Sequence, residues 1–368
     1  MARCRQQNPT GSSQFFDSPP ESHVKRQQSC QTLFQMMVIA LAIICSPACS
    51  QLIANDEDPA ALILVESKRI WDEAPHNAFT DLLRFNDRWY CVFREGSAHV
   101  SPDGAIRVIT STGGANWESI ALITSSKYDL RDAKLRPTPN GRLMLNGAGM
   151  IADAKIRYYS MSWFSDDGGH TWDTGHQIGD PGFWLWRAQW YDNHVYSIGY
   201  STERERTERK TRLYRSADGK TFATHVEQLT APAGCGEDTI LFLEDDTALC
   251  LLRHETGNKL AQLGKSAPPY TDWTWQDLNM RIGGPNMIQF PDGRILAATR
   301  LYDKRARTSL SWLDPDAGTL TEALTLPSGG DTSYPGLVLH DGMLWVSYYS
   351  SHEDRTSIYL AKVRVPEL

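Results

Sequence analysis

Six times along this chain a tight-turn signal runs straight into an apolar strand: NDRWYCVFR (86–94), NGRLMLNGA (140–148), DNHVYSIGY (192–200), DDTALCLLR (245–253), DGRILAATR (292–300) and DGMLWVSYY (341–349). Asp-Gly, Asn-Gly and related pairs favour hairpins because they tolerate the positive φ that such turns require. Aligned on the second turn residue and counted seven on, the repeats land on Arg94, Ala148, Tyr200, Arg253, Arg300 and Tyr349, at intervals of 54, 52, 53, 47 and 49 residues. A unit of about fifty residues holding several short strands predicts a propeller blade, typically of four strands. The expected fold is all-β: a six-bladed β-propeller of four-stranded antiparallel blades, with residues 51–368 as one domain.

Each repeat carries a strand before its turn, as in DTILFLE (238–244), and a third after it, as in IRVITS or TRLYRS. The last third strand, TSIYLAKV, runs to the C-terminus with no fourth behind it. ALILVES (61–67), ahead of the first repeat, is expected to supply it and so close the ring, which removes exposed sheet edges. The hairpins between third and fourth strands have their own pattern. SDDGGHTW (165–172) reads Ser-x-Asp-x-Gly-x-Thr-Trp, SADGKTF (216–222) is a shorter form and STGGANW (111–117) lacks the aspartate. These are Asp-boxes, in which Ser and Asp bond turn backbone and Gly supplies positive φ. Such hairpins belong on the outer rim and are structural. The paired-glycine pattern of Kelch repeats and the Trp-Asp signature of forty-residue propellers are both missing.

Residues 1–50 differ from the rest. Lys25 and Arg26 precede an apolar run from Leu33 to Cys45 and then SPACSQ, the arrangement of a secretory signal peptide. Thirteen apolar residues are too few for a comfortable membrane span, so no transmembrane segment is expected in the mature chain. SPAC (46–49) also resembles a lipoprotein box with Cys49 as the lipidated residue. The expected location is secreted, periplasmic or at the cell surface. The whole chain has net charge −7; its first fifty residues hold four Lys/Arg and two Asp/Glu, leaving −9 beyond them, which argues against a nucleic-acid partner. Only Cys91, Cys235 and Cys250 lie past the signal, with neither a disulfide framework nor metal-ligand spacing, so no metal and no cofactor are expected. Cys91 and Cys250 fall on equivalent strands of opposite blades, too far apart to bridge.

The counted position carries arginine in the first, fourth and fifth repeats. Equivalent positions in a propeller lie on one circle round the axis, so Arg94, Arg253 and Arg300 are expected to converge. Clustered guanidiniums repel unless an anion joins them, and their forks suit a carboxylate. Asp132 precedes its turn by the same offset as Glu237 and should face the same cavity. Trp184, Trp186 and Arg187 hold the corresponding stretch of the third repeat, as a sugar-stacking wall or as packing.

Repeats, Asp-boxes and arginines together resemble the sialidase (neuraminidase) superfamily, in which three arginines hold the sialic acid carboxylate. The resemblance covers essentially the whole mature chain. GEDTILFLEDDTALCLLR (236–253) is similar to the segment in which a glutamate precedes the second arginine, and so implies that Glu237 activates the nucleophile. GDTSYPGLV (330–338) resembles the segment after the third arginine and gives Tyr334 the nucleophile's place. CVFREG stands at the first arginine, but Glu95 interrupts the family's Phe-Arg-Ile-Pro. The family's general acid is an aspartate on the loop after that strand. Here Asp103 is the only aspartate in EGSAHVSPDGA (95–105), with His99 and Glu95 as the other acids within reach. A neutral phenol suits a ketosidic carbon bearing its own carboxylate, which would repel an attacking carboxylate; sialidases are known exceptions to carboxylate nucleophiles.

The resemblance implies an exo-α-sialidase-like glycoside hydrolase that releases terminal sialic acid with retention, its partners being sialylated or other acidic glycans. Two alternatives remain open: a glycosidase for another carboxylated sugar, uronic or ulosonic, and a non-catalytic carbohydrate-binding propeller.

Overall fold

The structure, a computed structural model, describes residues 61–152, 154–230 and 234–366. The signal-like segment and Cys49 lie outside the described residues. Six four-stranded antiparallel sheets make a six-bladed propeller. Blade 1 is β2 (His76–Phe85), β3 (Arg88–Gly96), β4 (Ala105–Ser111) and β5 (Glu118–Ile123), and blade 2 is β6 (Asp129–Pro137), β7 (Leu143–Met150), β8 (Tyr158–Ser165) and β9 (His176–Ile178). Blade 3 is β10 (Phe183–Tyr191), β11 (His194–Ser201), β12 (Thr211–Ser216) and β13 (Ala223–Val226). Blade 4 is β14 (Cys235–Phe242), β15 (Ala248–His254), β16 (Gln262–Ser266) and β17 (Thr274–Asp277). Blade 5 is β18 (Ile282–Gln289), β19 (Ile295–Leu301), β20 (Arg307–Asp314) and β21 (Thr319–Thr325). The last blade joins both ends of the chain. Its strands β22 (Thr332–His340), β23 (Met343–Ser350) and β24 (Ser357–Arg364) take their fourth partner from β1 (Ile63–Trp71), with Ile63 opposite Arg364 and Trp71 opposite Ile358.

The apolar faces of these strands pack blade against blade. Val92, Ile106 and Val108 of blade 1 meet Leu130, Leu135 and Leu145 of blade 2, and Leu249 and Leu251 of blade 4 meet Ile295 and Ala297 of blade 5. Cys91 and Cys250 are buried and unpaired, on β3 and β15 of opposite blades. The segments read as Asp-boxes form the outer hairpins. Ser165 Oγ donates to Asp167 Oδ1 at 2.8 Å, and that oxygen accepts from Thr171 N at 2.9 Å. Asp218 Oδ1 likewise accepts from the Thr221 amide at 2.8 Å. These carboxylates are spent on turn backbone, far from any reacting group.

What positions the site is a β-bulge repeated in all six innermost strands. Register slips by one residue between Ala78 and Asp81, Arg131 and Lys134, Leu185 and Ala188, Cys235 and Asp238, Gly283 and Asn286, and Ser333 and Gly336. A bulge re-aims one side chain out of the sheet's alternation. Here it aims Phe79, Asp132, Trp186, Gly236, Gly284 and Tyr334 from equivalent places in the six blades. Phe79, Asp132 and Tyr334 hold left-handed backbone at φ 64°, 55° and 53°, and Ser333 sits at φ 98°. For bulky residues each such conformation costs of order 1–3 kcal/mol and persists only where its surroundings over-determine it.

The ladder also corrects the register inferred from the turns. Ala78 pairs with Arg94 and Gly283 with Arg300, but Cys235, their counterpart in blade 4, pairs with His254. Arg253 therefore stands one place earlier than Arg94 and Arg300. Blade 3 shifts the other way, Leu185 pairing with Gly199 rather than Tyr200. The causes are the hairpin and the place of the bulge. Blades 1 and 3 turn in two residues and blade 4 in five. Five residues of the inner strand pair between hairpin and bulge in blades 1 and 4 but four in blades 3 and 5, so a fixed count from the turn does not reach the same rung.

Beyond the bulges the strands place charged residues near the axis: Asp81, Lys134, Arg187 and Asp238, all buried. Neither carboxylate oxygen of Asp238 finds a hydrogen bond among the described residues. Burial, with a further push from Glu237 against the pull of Arg187, drives its pKa well up. An acid raised in the fold loses stability as pH climbs above its unfolded pKa, by about 1.4 kcal/mol per unit until the folded group ionises. Asp238→Asn keeps the shape and cannot ionise. Its stability relative to the parent should therefore grow between about pH 4.5 and about pH 8. Urea unfolding at the two pH values measures this, and a constant difference would show that the native state holds Asp238 ionised.

Candidate active site

The bulge at Ser333–Tyr334 points the Tyr334 hydroxyl at Glu237 in the innermost strand of blade 4. Tyr334 Oη donates to Glu237 Oε1 at 2.5 Å, and Arg253 Nη1 donates to the same oxygen at 2.6 Å. Glu237 Oε2 accepts from the Gly284 backbone N–H at 2.7 Å. Glycine is required at that point: a Cβ on Gly284 would lie 2.8 Å from Tyr334 Cδ2, and the residue is at φ 53°. Burial opposes ionisation of Glu237, yet Arg253, the Tyr334 hydroxyl and Arg300 outweigh it and hold its pKa below the usual range. Burial and the Glu237 charge drive the Tyr334 pKa well up, so the pair is a phenol beside a carboxylate.

Three aromatic rings and one guanidinium fix the Tyr334 ring. Phe79 and Trp186 lie with centroids 5.2 Å away and Tyr349 at 5.6 Å, while Arg300 Cζ stands 5.3 Å from the ring centre. Arg300 Nη2 donates to Asp331 Oδ1 at 3.1 Å and to Tyr349 Oη at 2.8 Å, and its Nε to Thr332 O at 2.7 Å. Arg253 Nε is bonded to Glu255. Arg253 Nη2 and Arg300 Nη1 carry no hydrogen bond among the described residues. Each arginine thus has one open donor beside the Tyr334–Glu237 pair.

Asp132, the bulge residue of blade 2, completes the cluster. It is buried, its Oδ1 has no hydrogen bond among the described residues, and it is close enough to Glu237 for the two charges to repel. Burial pushes its pKa up to about 6, against the attraction of Lys134 and Arg131. Two carboxyl groups whose environments drive their pKa values apart, one lowered and one raised to about 6, are what acid–base chemistry at a single centre requires.

Other residues expected at the site stand elsewhere. Arg94 is fully buried and committed: Nε to Asp129 Oδ1 at 2.8 Å, Nη1 to Ala98 O at 2.8 Å and Nη2 to Ser101 Oγ at 2.8 Å. It fastens blade 1 to blade 2, and each of its three nitrogens is already bonded within the protein, so of the three arginines Arg253 and Arg300 are the two left with an open nitrogen. Glu95 is equally occupied, taking Trp71 Nε1 on Oε1 at 2.6 Å and Arg107 Nη2 on Oε2 at 2.8 Å. Asp103 is an exposed turn residue bonded to Ser97 N and Oγ. Hydrogen bonds from Ser101 and Ser97 lower its pKa, the wrong direction for an acid. The glycine after it makes room for packing, since a Cβ on Gly104 would meet Asp129 Oδ1 at 1.8 Å. Trp186 is buried against Tyr334 and offers no face to a sugar, and Arg187 is buried beyond the bulges.

Sequence reasoning missed Asp331, Arg131, Phe79 and His76. Arg131 Cζ lies 5.0 Å from the Phe79 ring, which also meets His99 edge-on at 5.2 Å. His99 does reach the cluster, its Nδ1 2.7 Å from Asp331 Oδ2, and His76 Nε2 lies 3.4 Å from the same oxygen. Among the described residues His76, His99 and Asp331 form one group with potential metal-ligand atoms within 4.8 Å of one another. Arg300 already sits on this carboxylate and opposes a second cation there, so the trio reads as a brace that holds Asp331 against Arg300.

No family model matches the chain, and neither does any curated protein sequence. Solved structures do share the fold. A protein of unknown function from Dyadobacter fermentans is 16% identical with TM-score 0.73, over 83% of this chain and 99% of its own. An α-L-arabinofuranosidase mutant from Fusarium graminearum, in complex with an iminosugar inhibitor, is 14% identical with TM-score 0.67, over 82% of this chain and 98% of its own. The Trypanosoma rangeli sialidase in complex with sialic acid is 11% identical with TM-score 0.57, over 81% of this chain but only 57% of its own.

The placement of Arg94 makes a sharp expectation. Arg94→Met leaves Asp129 buried without its main partner and should cost roughly 3–5 kcal/mol of stability. Adding Asp129→Leu removes the orphaned charge and should recover much of that loss, as urea unfolding of both variants can measure. An Arg94→Met protein of parental stability that had lost ligand binding would instead return Arg94 to the site.

Proposed function

We propose that this protein is a retaining glycoside hydrolase in which Tyr334 is the nucleophile, Glu237 its base and Asp132 the general acid. The observation that carries the reading is the buried Tyr334–Glu237 hydrogen bond within electrostatic reach of a buried carboxyl group whose pKa is pushed up to about 6. In the first step Tyr334 Oη bonds to the anomeric carbon as the glycosidic C–O bond breaks. The phenol proton passes to Glu237, and Asp132 gives its proton to the departing oxygen. In the second step Asp132 takes a proton from water, whose oxygen attacks the same carbon. The C–Oη bond breaks, and Tyr334 regains its proton from Glu237. The open nitrogens of Arg253 and Arg300 support a terminal sugar bearing a carboxylate, gripped by two arginines rather than three. A specific observation favours a second substrate class. Glu237 and Glu255 already neutralise Arg253, and Asp331 neutralises Arg300, a balance that suits a neutral sugar as well. The signal-like N-terminus supports a site of action outside the cytoplasm.

Aryl glycosides of sialic acid, glucuronic acid and arabinofuranose separate these readings. Turnover of either acidic substrate supports the carboxylate grip and turnover of the arabinofuranoside alone the neutral one; none at all would leave a carbohydrate-binding propeller. With the substrate that is turned over, kcat/KM should fall above about pH 6 as Asp132 loses its proton. It should also fall at low pH, below the usual carboxylate range, as Glu237 gains one. Asp132→Asn should abolish the alkaline limb and cost about 10²–10⁴-fold with poor leaving groups, far less with good ones. The 2-fluoro or, for a ketoside, 3-fluoro glycosyl fluoride should label the peptide that holds Tyr334. Tyr334→Phe should fold normally and lose both label and turnover; parental turnover in that variant rules out the role.

A further inference from the structure

Beside the catalytic cluster, on the same face of the propeller, lies a groove of about 630 Å³ between blades 2 and 3. Its walls are Tyr158 and Phe183 with five cations, Lys155, Arg157, Arg204, Arg206 and Arg209, against one carboxylate, Glu203. Arg206 is paired with Glu255, which leaves four cations facing one acid. Glu205 and Glu208 share the 202–210 segment but do not line the groove.

A run of aromatic rings joins this groove to the reacting centre. Trp186 contacts Tyr334, Trp184 follows with its centroid 6.4 Å from that of Trp186, and Trp184 packs at 5.0 Å on Tyr158. Tyr200 stacks on Trp184 with an interplanar angle of 13° and carries Arg209 Cζ at 5.8 Å. The Tyr200 hydroxyl feels the charges of Glu237, Asp132, Arg209 and Arg253, so one residue lies within electrostatic reach of both the catalytic carboxyls and a cation of the groove. Arg157 stands over Tyr158 in the same way, Cζ 5.4 Å from the ring.

We infer that this groove is the leaving-group subsite and that it takes an anionic glycan, one whose next sugars carry carboxylate or sulfate groups. The inference rests on the glycosidase reading for its catalytic sense but not for binding. A groove of this volume accommodates a di- or trisaccharide-sized ligand. Guanidiniums laid over aromatic faces are partly dehydrated and fixed in orientation, so they lose little freedom when they fork onto an oxyanion. A surplus of cations on a chain of net charge −7 is also a local reversal of sign, the pattern that steers an anion to one place on an otherwise repelling surface. Asp132, the proposed proton donor to the leaving oxygen, acts electrostatically on Tyr200, the same ring that carries the groove's Arg209.

The test uses the full chain and three probes: a tetragalacturonate, a sulfated tetrasaccharide and neutral maltotetraose, each titrated calorimetrically at low and at raised salt. The parent protein should bind one or both anionic probes, more weakly as salt rises, and maltotetraose at least about tenfold more weakly. A carboxylate-only or sulfate-only result identifies the group. Arg157→Gln combined with Arg204→Gln changes two exposed side chains outside the catalytic cluster. It should weaken the anionic probe at least about tenfold while leaving thermal stability and small aryl-glycoside turnover as in the parent. Failure of both anionic probes to bind, equal binding of maltotetraose, or undiminished binding in the double variant would overturn the inference. Anionic binding that depends on Arg157 and Arg204, in a protein that hydrolyses no glycoside, would sustain the subsite and overturn the catalytic reading instead.

Discussion

One ion pair across the propeller axis, Asp81 with Arg187, holds the rest in place. A bulge in every innermost strand leaves backbone carbonyls near the axis without a ladder partner, and buried carbonyls must be paired. Arg187 Nη1 donates to Asp81 Oδ1 at 2.9 Å, and its other nitrogens reach Pro335 O at 2.8 Å and Pro285 O at 3.3 Å. Asp81 Oδ2 accepts from Arg136 Nη1 at 2.7 Å and from the Leu135 N–H at 3.0 Å. A single carboxylate and a single guanidinium thus connect blades 1, 2, 3, 5 and 6. Burial resists the charge on each, but the arginines around Asp81 win and keep its pKa low. Such a pair stabilises little relative to an apolar plug, yet losing either member strands a buried charge. Its benefit here is geometric.

That geometry sets the position of Tyr334. The carbonyls that bracket the strained bulge are the ones taken by donors from across the axis. Thr80 Oγ1 donates to Tyr334 O at 2.8 Å, and Asn286 Nδ2 joins Arg187 on Pro335 O at 3.1 Å. The left-handed backbone at Tyr334 is therefore held by three other blades, which is what an intrinsically unfavourable conformation needs in order to persist. A phenol placed this way cannot drift from Glu237, because its ring is wedged between Phe79, Trp186 and Tyr349 while its backbone is tied from the far side. Arg187, expected at the pocket, serves it from the other side of the bulge.

The blades were legible because turns and alternation are local. Two residues such as Asn86–Asp87 or Asp341–Gly342 define a hairpin whatever surrounds them, and six hairpins at even spacing leave one architecture. Ring closure by β1 followed from arithmetic, since only one blade lacked a strand. Tyr334 and Glu237 were found because they fall in segments similar to a known pattern. The errors lie where a side chain's role is settled by another blade. Arg94 and Arg300 occupy the same rung, but Asp129 reaches across from blade 2 to neutralise one of them, and nothing near Arg94 in the sequence announces it. Asp331 is spatially next to Arg300 yet thirty-one residues away. Asp103 was chosen for its place in a loop, where its own turn consumes it. Asp132, picked out only by its offset from a turn, gains its raised pKa from burial and from Glu237 in blade 4, neither of which a one-dimensional reading can weigh.

The face that carries the cluster is the one where the connections between second and third strands emerge. On the opposite face the first and second strands are joined by hairpins of two to five residues, too short to build anything. Second and third strands are joined on the functional face by segments 97–104, 151–157, 202–210, 255–261, 302–306 and 351–356. These supply His99 to the Asp331 cluster, Glu255 to Arg253, and the cations of the groove between blades 2 and 3. The inner strands, locked by Asp81 and Arg187, fix Tyr334 and Glu237 and tolerate little change, because the Tyr334 bulge depends on donors from several blades. The connecting segments bear no such load, so charge and length can change there without disturbing Tyr334. Under the proposed glycosidase reading, chemistry and specificity fall to different parts of the chain: the bulges would determine how a bond is broken, and the connections beside them which glycan is brought to it.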